Sequence, residues 1–253
     1  MSDINESFLE IKNSYYLTLA FKVRNSFDDM ILENEGLVVY LDDKLISPLR
    51  KDKGYYVLMN IPKKQFKLKI TSHNYFDKIV SVDIDKIKRE DKCIDIYLIP
   101  NFKYVSEPSE FYIDGEADSS TEVFGVKLSN RTNIRFMSYD KKLSLLKVSN
   151  PAQENITGHL MAVIDGEKNN FQEFFIKDRI SLAEYKIDKD INKTYKISSP
   201  IQKAYVTQSD NEGRYRLYIN NYGIKDENYV ICFYKNKKKT FKVIDFNKEK
   251  IKE

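Results

Sequence analysis

The chain has 253 residues, 42% hydrophobic and 13% aromatic, and its 42 basic residues nearly balance 38 acidic ones, giving a formal net charge of +4. Apolar residues are frequent enough for a buried core and the charge is too balanced to force disorder, which excludes a disordered tail and a collagen-like chain. Two His, two Cys, no Trp and eight Gly leave few of the residue types on which most active sites depend.

Alternating apolar and polar residues predict short strands through the first hundred residues. In residues 15–23 the apolar positions Leu17, Leu19, Phe21 and Val23 lie on one face. Further strands are predicted at residues 37–41, 54–59, 66–70, 79–84 and 94–99, with Asp42-Asp43 as a turn. The best helix candidate, residues 86–92, is at most two turns long. This spacing predicts a β-sandwich domain over residues 1–104.

An acidic, polar stretch interrupts this pattern. It contains Asp114, Asp118 and four Glu, and we interpret residues 105–125 as an inter-domain linker. Strands resume over residues 126–253, and we predict them at 133–137, 143–148, 159–164, 171–176, 181–187, 202–207, 215–219, 229–234 and 240–245. The predicted fold class is therefore all-β, with two β-sandwich-like domains joined by an acidic polar linker.

A short motif in the first half resembles a known domain family. Asp52-x-Gly54-Tyr-Tyr-Val-Leu-x-Asn60-Ile-Pro62, followed by residues 66–75, is similar to the carboxypeptidase-regulatory-like or transthyretin-like β-sandwich. Lys64-Gln65 stands where that family usually has Gly before the aromatic residue. The resemblance covers residues 14–100 and implies an accessory, adhesive or assembly module without a catalytic site. Such modules also look like parts of phage-tail-like contractile particles of bacteria.

Catalytic and cofactor motifs are not found in the sequence. Nucleophile elbows and phosphate-binding Gly-rich loops are missing, and the four His and Cys residues are too dispersed for zinc. We interpret His73 and His159 as surface or strand-edge residues. Asp188, Asp190 and Asn192 match the first ligand positions of a calcium loop, but Lys193 and Ser199 occupy its Gly and Glu positions. We predict no enzyme activity, no cofactor and no metal site, and leave open a weak calcium site near Asp188.

Tyrosines are the best candidates for a binding surface. The chain has 18 Tyr, and several occur in adjacent aromatic pairs, of which strand geometry turns one ring inward and the other outward. We select Tyr16, Tyr56 and Tyr75 as interface residues, since exposed Tyr is common at protein interfaces. Tyr platforms also bind sugars, so a glycan remains an alternative ligand.

Charge and targeting signals indicate which classes of partner and which cell compartment to expect. The densest cationic stretch, Lys235 to Lys242, is interpreted as a solvated hairpin turn, and we expect no nucleic-acid binding. The N-terminal residues resemble no signal peptide and no apolar run is long enough to span a membrane. We therefore expect cytoplasmic synthesis without a signal peptide, no membrane insertion, and release, if any, as part of a particle. Cys93 and Cys232 are predicted to be buried and reduced.

These observations favour one function and leave an alternative. The favoured function is a non-catalytic structural component that binds other proteins of a larger bacterial assembly, such as a phage-tail-like contractile particle. The alternative is a surface or glycan-binding adhesin module. Partner identity, oligomeric state and the rigidity of the contact between the two halves stay open at this point.

Overall fold

The computed structural model describes residues 15–33, 36–87, 93–105, 111–128, 132–192, 195–219 and 228–244. The strands of the first half are β1 (Leu17–Asn25), β2 (Val38–Leu41), β3 (Lys44–Ile46), β4 (Leu49–Lys51), β5 (Tyr55–Met59), β6 (Gln65–Ser72), β7 (Tyr75–Asp83) and β8 (Cys93–Leu98). A single-turn 3-10 helix (Ile84–Lys86) follows β7. Residues 88–92 of the predicted helix lie outside the described residues.

The strands of the second half are β9 (Phe111–Glu116), β10 (Glu122–Lys127), β11 (Arg135–Asp140), β12 (Leu145–Ser149), β13 (Leu160–Asp165), β14 (Asn170–Arg179), β15 (Glu184–Ile187), β16 (Ile201–Gln208), β17 (Arg214–Ile219), β18 (Tyr229–Lys235) and β19 (Lys238–Ile244). Each strand predicted from alternation has a counterpart among these nineteen, and the all-β prediction is confirmed.

The first half is a sandwich of two four-stranded sheets, ordered β4-β5-β1-β8 and β3-β2-β6-β7. In β1 the side chains Leu19, Phe21 and Val23 are fully buried, as the alternation predicts. The prediction is wrong for Leu17, which is 40% exposed because the register with β5 shifts between Leu17 and Leu19. Asp42 and Asp43 have positive φ angles of 47° and 65°, which suit the two-residue turn that joins β2 to β3. The three-residue strands β3 and β4 are too short to show alternation, and the sequence did not predict them.

The second half contains a nine-stranded antiparallel sheet ordered β11-β12-β15-β14-β13-β16-β10-β18-β19. This sheet curls, because β11 also hydrogen-bonds to the segment that leads into β16. The Phe136 N–H donates to the Ser199 carbonyl at 2.9 Å, and the Ile201 N–H donates to the Ile134 carbonyl at 3.0 Å. Six strands from β11 to β16 therefore close into a barrel around a core that includes Phe174 and Tyr185.

The predicted linker over residues 105–125 is wrong where the structure describes it. β9 pairs with β17 as a two-stranded ribbon, and β10 lies between β16 and β18 in the large sheet. Val123 is fully buried and Phe124 is 4% exposed. Of the acidic residues that suggested a linker, Asp114 pairs with Arg216 of β17 at 2.8 Å and Asp118 pairs with Lys235 of β18 at 3.2 Å. The strands of the second half therefore include β9 and β10, and residues 106–110 lie outside the described residues.

The two halves contact each other through aromatic rings. Phe27, in the turn after β1, stacks on Tyr218 of β17 with ring centroids 5.1 Å apart. Tyr104 packs edge-on against Tyr218 at 5.0 Å, and the Tyr218 hydroxyl donates to the Tyr104 carbonyl at 3.3 Å. Phe27 and Tyr218 are only 4% and 3% exposed. We call Phe27, Tyr104 and Tyr218 the aromatic junction, through which the two halves pack against each other.

Candidate functional site

The outer face of the sheet β4-β5-β1-β8 is built by the same alternation that fills the core. Tyr56 and Leu58 of β5 point inward and are each 3% exposed, so Tyr55, Val57 and Met59 point outward. Val57 lies opposite Leu49 of β4 on one side and Ala20 of β1 on the other. A row of small and aliphatic side chains therefore crosses the sheet on the side away from the core.

Four of these outward residues form an apolar strip, which we define as Leu17, Leu49, Val57 and Met59. Leu17 and Met59 face each other across β1 and β5. Leu17, Leu49 and Met59 are 40%, 43% and 38% exposed, and Val57 is half-buried between them. Singly scattered aliphatic residues are ordinary on protein surfaces, whereas a contiguous group on one sheet face is typical of an interaction site.

Charged residues border the apolar strip along the next row of the sheet. In that row Lys51, Tyr55, Lys22 and Asp95 follow one another across β4, β5, β1 and β8. The Lys22 ammonium lies 4.0 Å from the centre of the Tyr55 ring, and Arg24 pairs with Asp95 at 2.9 Å. An apolar centre with a polar margin is the usual anatomy of a protein-protein interface.

Tyr16 is the one predicted interface residue that the structure places on the surface. Tyr16 comes directly before Leu17 of the apolar strip in the sequence and is 54% exposed. Its neighbour Tyr15 is 69% exposed. The backbone of Tyr16 exchanges hydrogen bonds with Asn60, and its hydroxyl donates to the Ile61 carbonyl at 3.3 Å. Tyr16 is thus a held, exposed ring at one end of the apolar strip.

Tyr56 and Tyr75 lie on the inward side of their strands, so the prediction that they are interface residues is wrong. Tyr56 is 3% exposed and stacks on Phe21 at 5.3 Å, and burial raises the pKa of its hydroxyl. Tyr75 is 2% exposed and packs against Tyr104 at 5.5 Å. Alternation requires one ring of each aromatic pair to face inward, and here the inward ring is Tyr56 of one pair and Tyr75 of the other. Both residues belong to the core and take no part in an outer surface.

The calcium-like residues are engaged with protein groups. Asp188 accepts from the Phe175 N–H at 2.7 Å, whereas Asp190 accepts from the Tyr139 hydroxyl at 2.9 Å and pairs with Lys141 at 3.2 Å. Hydrogen bonds from the Tyr139 hydroxyl and the Lys141 ammonium lower the pKa of Asp190. The two carboxylates serve different neighbours and do not converge on one point. In the ranges that the structure describes, no group of three or more His, Cys, Asp or Glu is placed to hold a metal ion.

The cationic stretch forms the β18–β19 hairpin, as predicted. Asn236 and Lys237 take positive φ angles of 50° and 63° at its turn. Lys235 pairs with Asp118 at 3.2 Å, and Lys239 contacts both carboxylate oxygens of the buried Glu173 at 2.6 and 2.9 Å. Two of its lysines therefore hold acidic groups of the same chain.

Histidine and cysteine residues fall in different environments. His73 is exposed in the turn between β6 and β7, whereas His159 lies where the two halves meet, with its side chain 21% exposed. Cys232 is buried in β18, but Cys93 is exposed at the start of β8, which corrects the prediction that both are buried. Cys93 follows Ala20 in the row that contains Val57.

Sequence reasoning missed the aliphatic residues of the apolar strip. The signal was present in β5, because Val57 and Met59 alternate with core residues and yet are themselves apolar. An outward row without a polar residue indicates a sheet face that contacts another molecule as well as solvent. The pairing of β4 with β5, which brings Leu49 beside Val57, could not be seen from the sequence.

Comparisons with known proteins give no relative for this chain: no protein-family model, no curated protein and no solved structure matches it. In the part of the chain that is described, no helix has the length and hydropathy of a membrane span.

Proposed function

We propose that this chain is a non-catalytic structural protein that binds another protein of a larger bacterial assembly through the apolar strip. One observation carries the proposal, namely three aliphatic side chains, Leu17, Leu49 and Met59, each about two-fifths exposed on one sheet face. Leaving them in water forgoes roughly 25 cal/mol for each Å² of apolar surface, which a partner of complementary shape would recover.

The dimensions of the sheet suit the centre of an interface. Four strands about 4.8 Å apart and about five residues of roughly 3.4 Å each span an area of about 19 Å by 17 Å. A specific interface buries about 800 Å² on each partner, so the apolar strip supplies the core and its neighbours supply the margin. Tyr15, Tyr16 and the charged row beginning at Lys51 are placed to form that margin.

For the assembly we propose a phage-tail-like contractile particle. The support is the resemblance of residues 14–100 to the transthyretin-like β-sandwich, a kind of module that also looks like parts of such particles, together with the absence of recognised catalytic motifs from the sequence. The firm contact between the halves adds to it, because an assembly component has to transmit a fixed geometry between partners. Co-purification of the chain with tube, sheath or baseplate proteins would be the expected result.

The test compares two variants of the full chain in a pull-down from native lysate. Leu49→Asp together with Met59→Asp places two carboxylates in the apolar strip, while the control Leu45→Asp alters a 67% exposed leucine on β3 of the opposite sheet. Substitutions at such exposed sites change stability by about 0.5 kcal/mol or less, so both variants should fold. We expect the double variant to lose the captured protein at least tenfold and the control to retain it.

Washing conditions separate the alternatives. A partner held by buried apolar residues should stay bound at about 50 and about 300 mM salt, whereas nucleic acid would be released over that range. Release by free sugars would favour the glycan-binding adhesin, and release by nuclease would favour nucleic acid. Equal capture by the double variant and the wild type would refute binding through the apolar strip.

A further inference from the structure

Beside the aromatic junction, a polar cluster also joins the two halves. Asp29 follows β1 and reaches the barrel, where one carboxylate oxygen accepts from the Lys203 ammonium of β16 at 2.8 Å. The other oxygen, Oδ1, lies 3.6 Å from Nδ1 of His159, just before β13, and is buried without a hydrogen-bond partner among the described residues. Lys203 also donates to the Phe27 carbonyl at 3.4 Å, which ties the polar cluster to the aromatic junction.

The charges that surround His159 come from several elements and balance. Arg24 of β1 donates to the Asp29 carbonyl at 2.9 Å and pairs with Asp95 of β8, also at 2.9 Å. Two cations, Arg24 and Lys203, therefore face two anions, Asp29 and Asp95. Tyr97 of β8 completes the surroundings with its ring centre 6.2 Å from that of His159, and burial raises its pKa to about 12, so its hydroxyl stays neutral.

A proton on His159 would upset this balance in a place with little water. The imidazole side chain is 21% exposed, so a third cation would be only partly hydrated. Burial is the largest influence and lowers the pKa of His159. Asp29 and Asp95 raise it, while Lys203 and Arg24 lower it further, and the net direction is downward. The docked arrangement of the halves thus favours the neutral imidazole.

We propose that His159 makes the contact between the halves sensitive to pH, because its protonation weakens their docking. When the halves separate, water reaches the imidazole and its affinity for protons returns to that of an ordinary histidine. The docking free energy is then fully present above the ordinary histidine pKa of 6.5 and declines as the pH falls through 6.5 towards the lower value of the docked state. The docking equilibrium can change by up to about tenfold per pH unit in that interval.

Weaker docking at low pH would also change the relative orientation of the two halves. The apolar strip belongs to the first half and the barrel to the second, so the junction sets their relative orientation. Acidification would release that orientation while leaving each half folded. If the apolar strip binds a partner as proposed above, a pH change would alter how that partner is oriented relative to the second half, without changing the apolar strip itself.

Hydrogen–deuterium exchange of the full chain tests this proposal. We expect amides of residues 26–32 to lose protection several-fold between about pH 7.5 and about pH 5.5, after correction for the intrinsic pH dependence of exchange. Amides of β6, which is remote from the junction, should keep their protection. His159→Gln should abolish the pH dependence, and the matched control His73→Gln, at the other histidine of the chain, should retain it.

A second measurement holds even if His159→Gln fails to fold. The imidazole pKa of His159, followed by nuclear magnetic resonance, should rise towards 6.5 when Phe27→Ala weakens the aromatic junction. The proposal is overturned if protection of residues 26–32 does not change with pH, if His159→Gln shows the same loss as wild type, or if Phe27→Ala leaves that pKa unchanged.

Discussion

Removing Lys239 should destabilise the protein more than removing the charge of its partner, Glu173. The Glu173 carboxylate of β14 is 4% exposed and lies 2.6 and 2.9 Å from the Lys239 ammonium of β19. Lys189 lies 3.4 Å from the same carboxylate. The lysine side chains are 30% and 49% exposed, so they reach water while the carboxylate does not. The two ends of the interaction are therefore unequal.

The expected magnitudes follow from this inequality. Breaking a buried ion pair from one side costs about 3–5 kcal/mol, because a charge is left without compensation. Lys189 remains near the carboxylate, so we expect Lys239→Met to cost about 2–3 kcal/mol. Glu173→Gln leaves two partly hydrated lysines beside a neutral amide, and we expect about 1 kcal/mol. The double variant should cost less than the sum of the two single variants by about 1 kcal/mol or more.

The assay is denaturant unfolding of wild type, both single variants and the double variant at about pH 7, read as shifts in midpoint at constant slope. Lys238→Met, at an exposed lysine of the same strand, serves as the control and should change stability by about 0.5 kcal/mol or less. Equal costs for Lys239→Met and Glu173→Gln, or a larger cost for Glu173→Gln, would refute the argument that burial of the carboxylate decides the outcome.

Three further predictions concern the junction, acid stability and the former linker. Phe27→Ala should weaken docking by about 3 kcal/mol and split thermal unfolding into two transitions in calorimetry, whereas Phe21→Ala should destabilise the first half and leave docking intact; one shared transition in Phe27→Ala would contradict this. Burial opposes ionisation of Asp210, but hydrogen bonds from Arg214 lower its pKa overall. The free energy of unfolding, measured against pH, should therefore fall below about pH 3.8, and it should fall less steeply in Asp210→Asn than in the wild type. Limited proteolysis of the native chain should spare residues 111–127, and early cleavage there would restore the linker interpretation.

The strands were accessible from the sequence because their signal is local. Alternation along β1 or β5 reports which side chains a sheet can bury, and this requires no knowledge of the partner strands. The tight turn at Asp42-Asp43, and Asn236 in the turn between β18 and β19, likewise use residues that tolerate positive φ. An all-β fold with a sandwich in its first half follows from these local preferences.

The sequence did not predict β9 and β10, because their surroundings decide their state. Residues 105–125 are acidic, and composition alone is typical of a linker. Asp114 is neutralised by Arg216, 102 positions later, and β10 is held between β16 and β18. Pairings over such distances depend on the whole sheet, so no local pattern contains them.

For the candidate site, the sequence by itself determined that one ring of an aromatic pair in a strand faces outward, since neighbours alternate. Only the tertiary structure decided that Tyr55 and not Tyr56 is that ring, because the side of a strand that becomes the core depends on the second sheet packed against it. The apolar strip needed β4 beside β5, and the junction needed Phe27 beside Tyr218. Local sequence preferences determine which segments form strands. Packing between segments distant in the sequence determines which of their side chains are exposed to solvent, buried against each other or available to a partner.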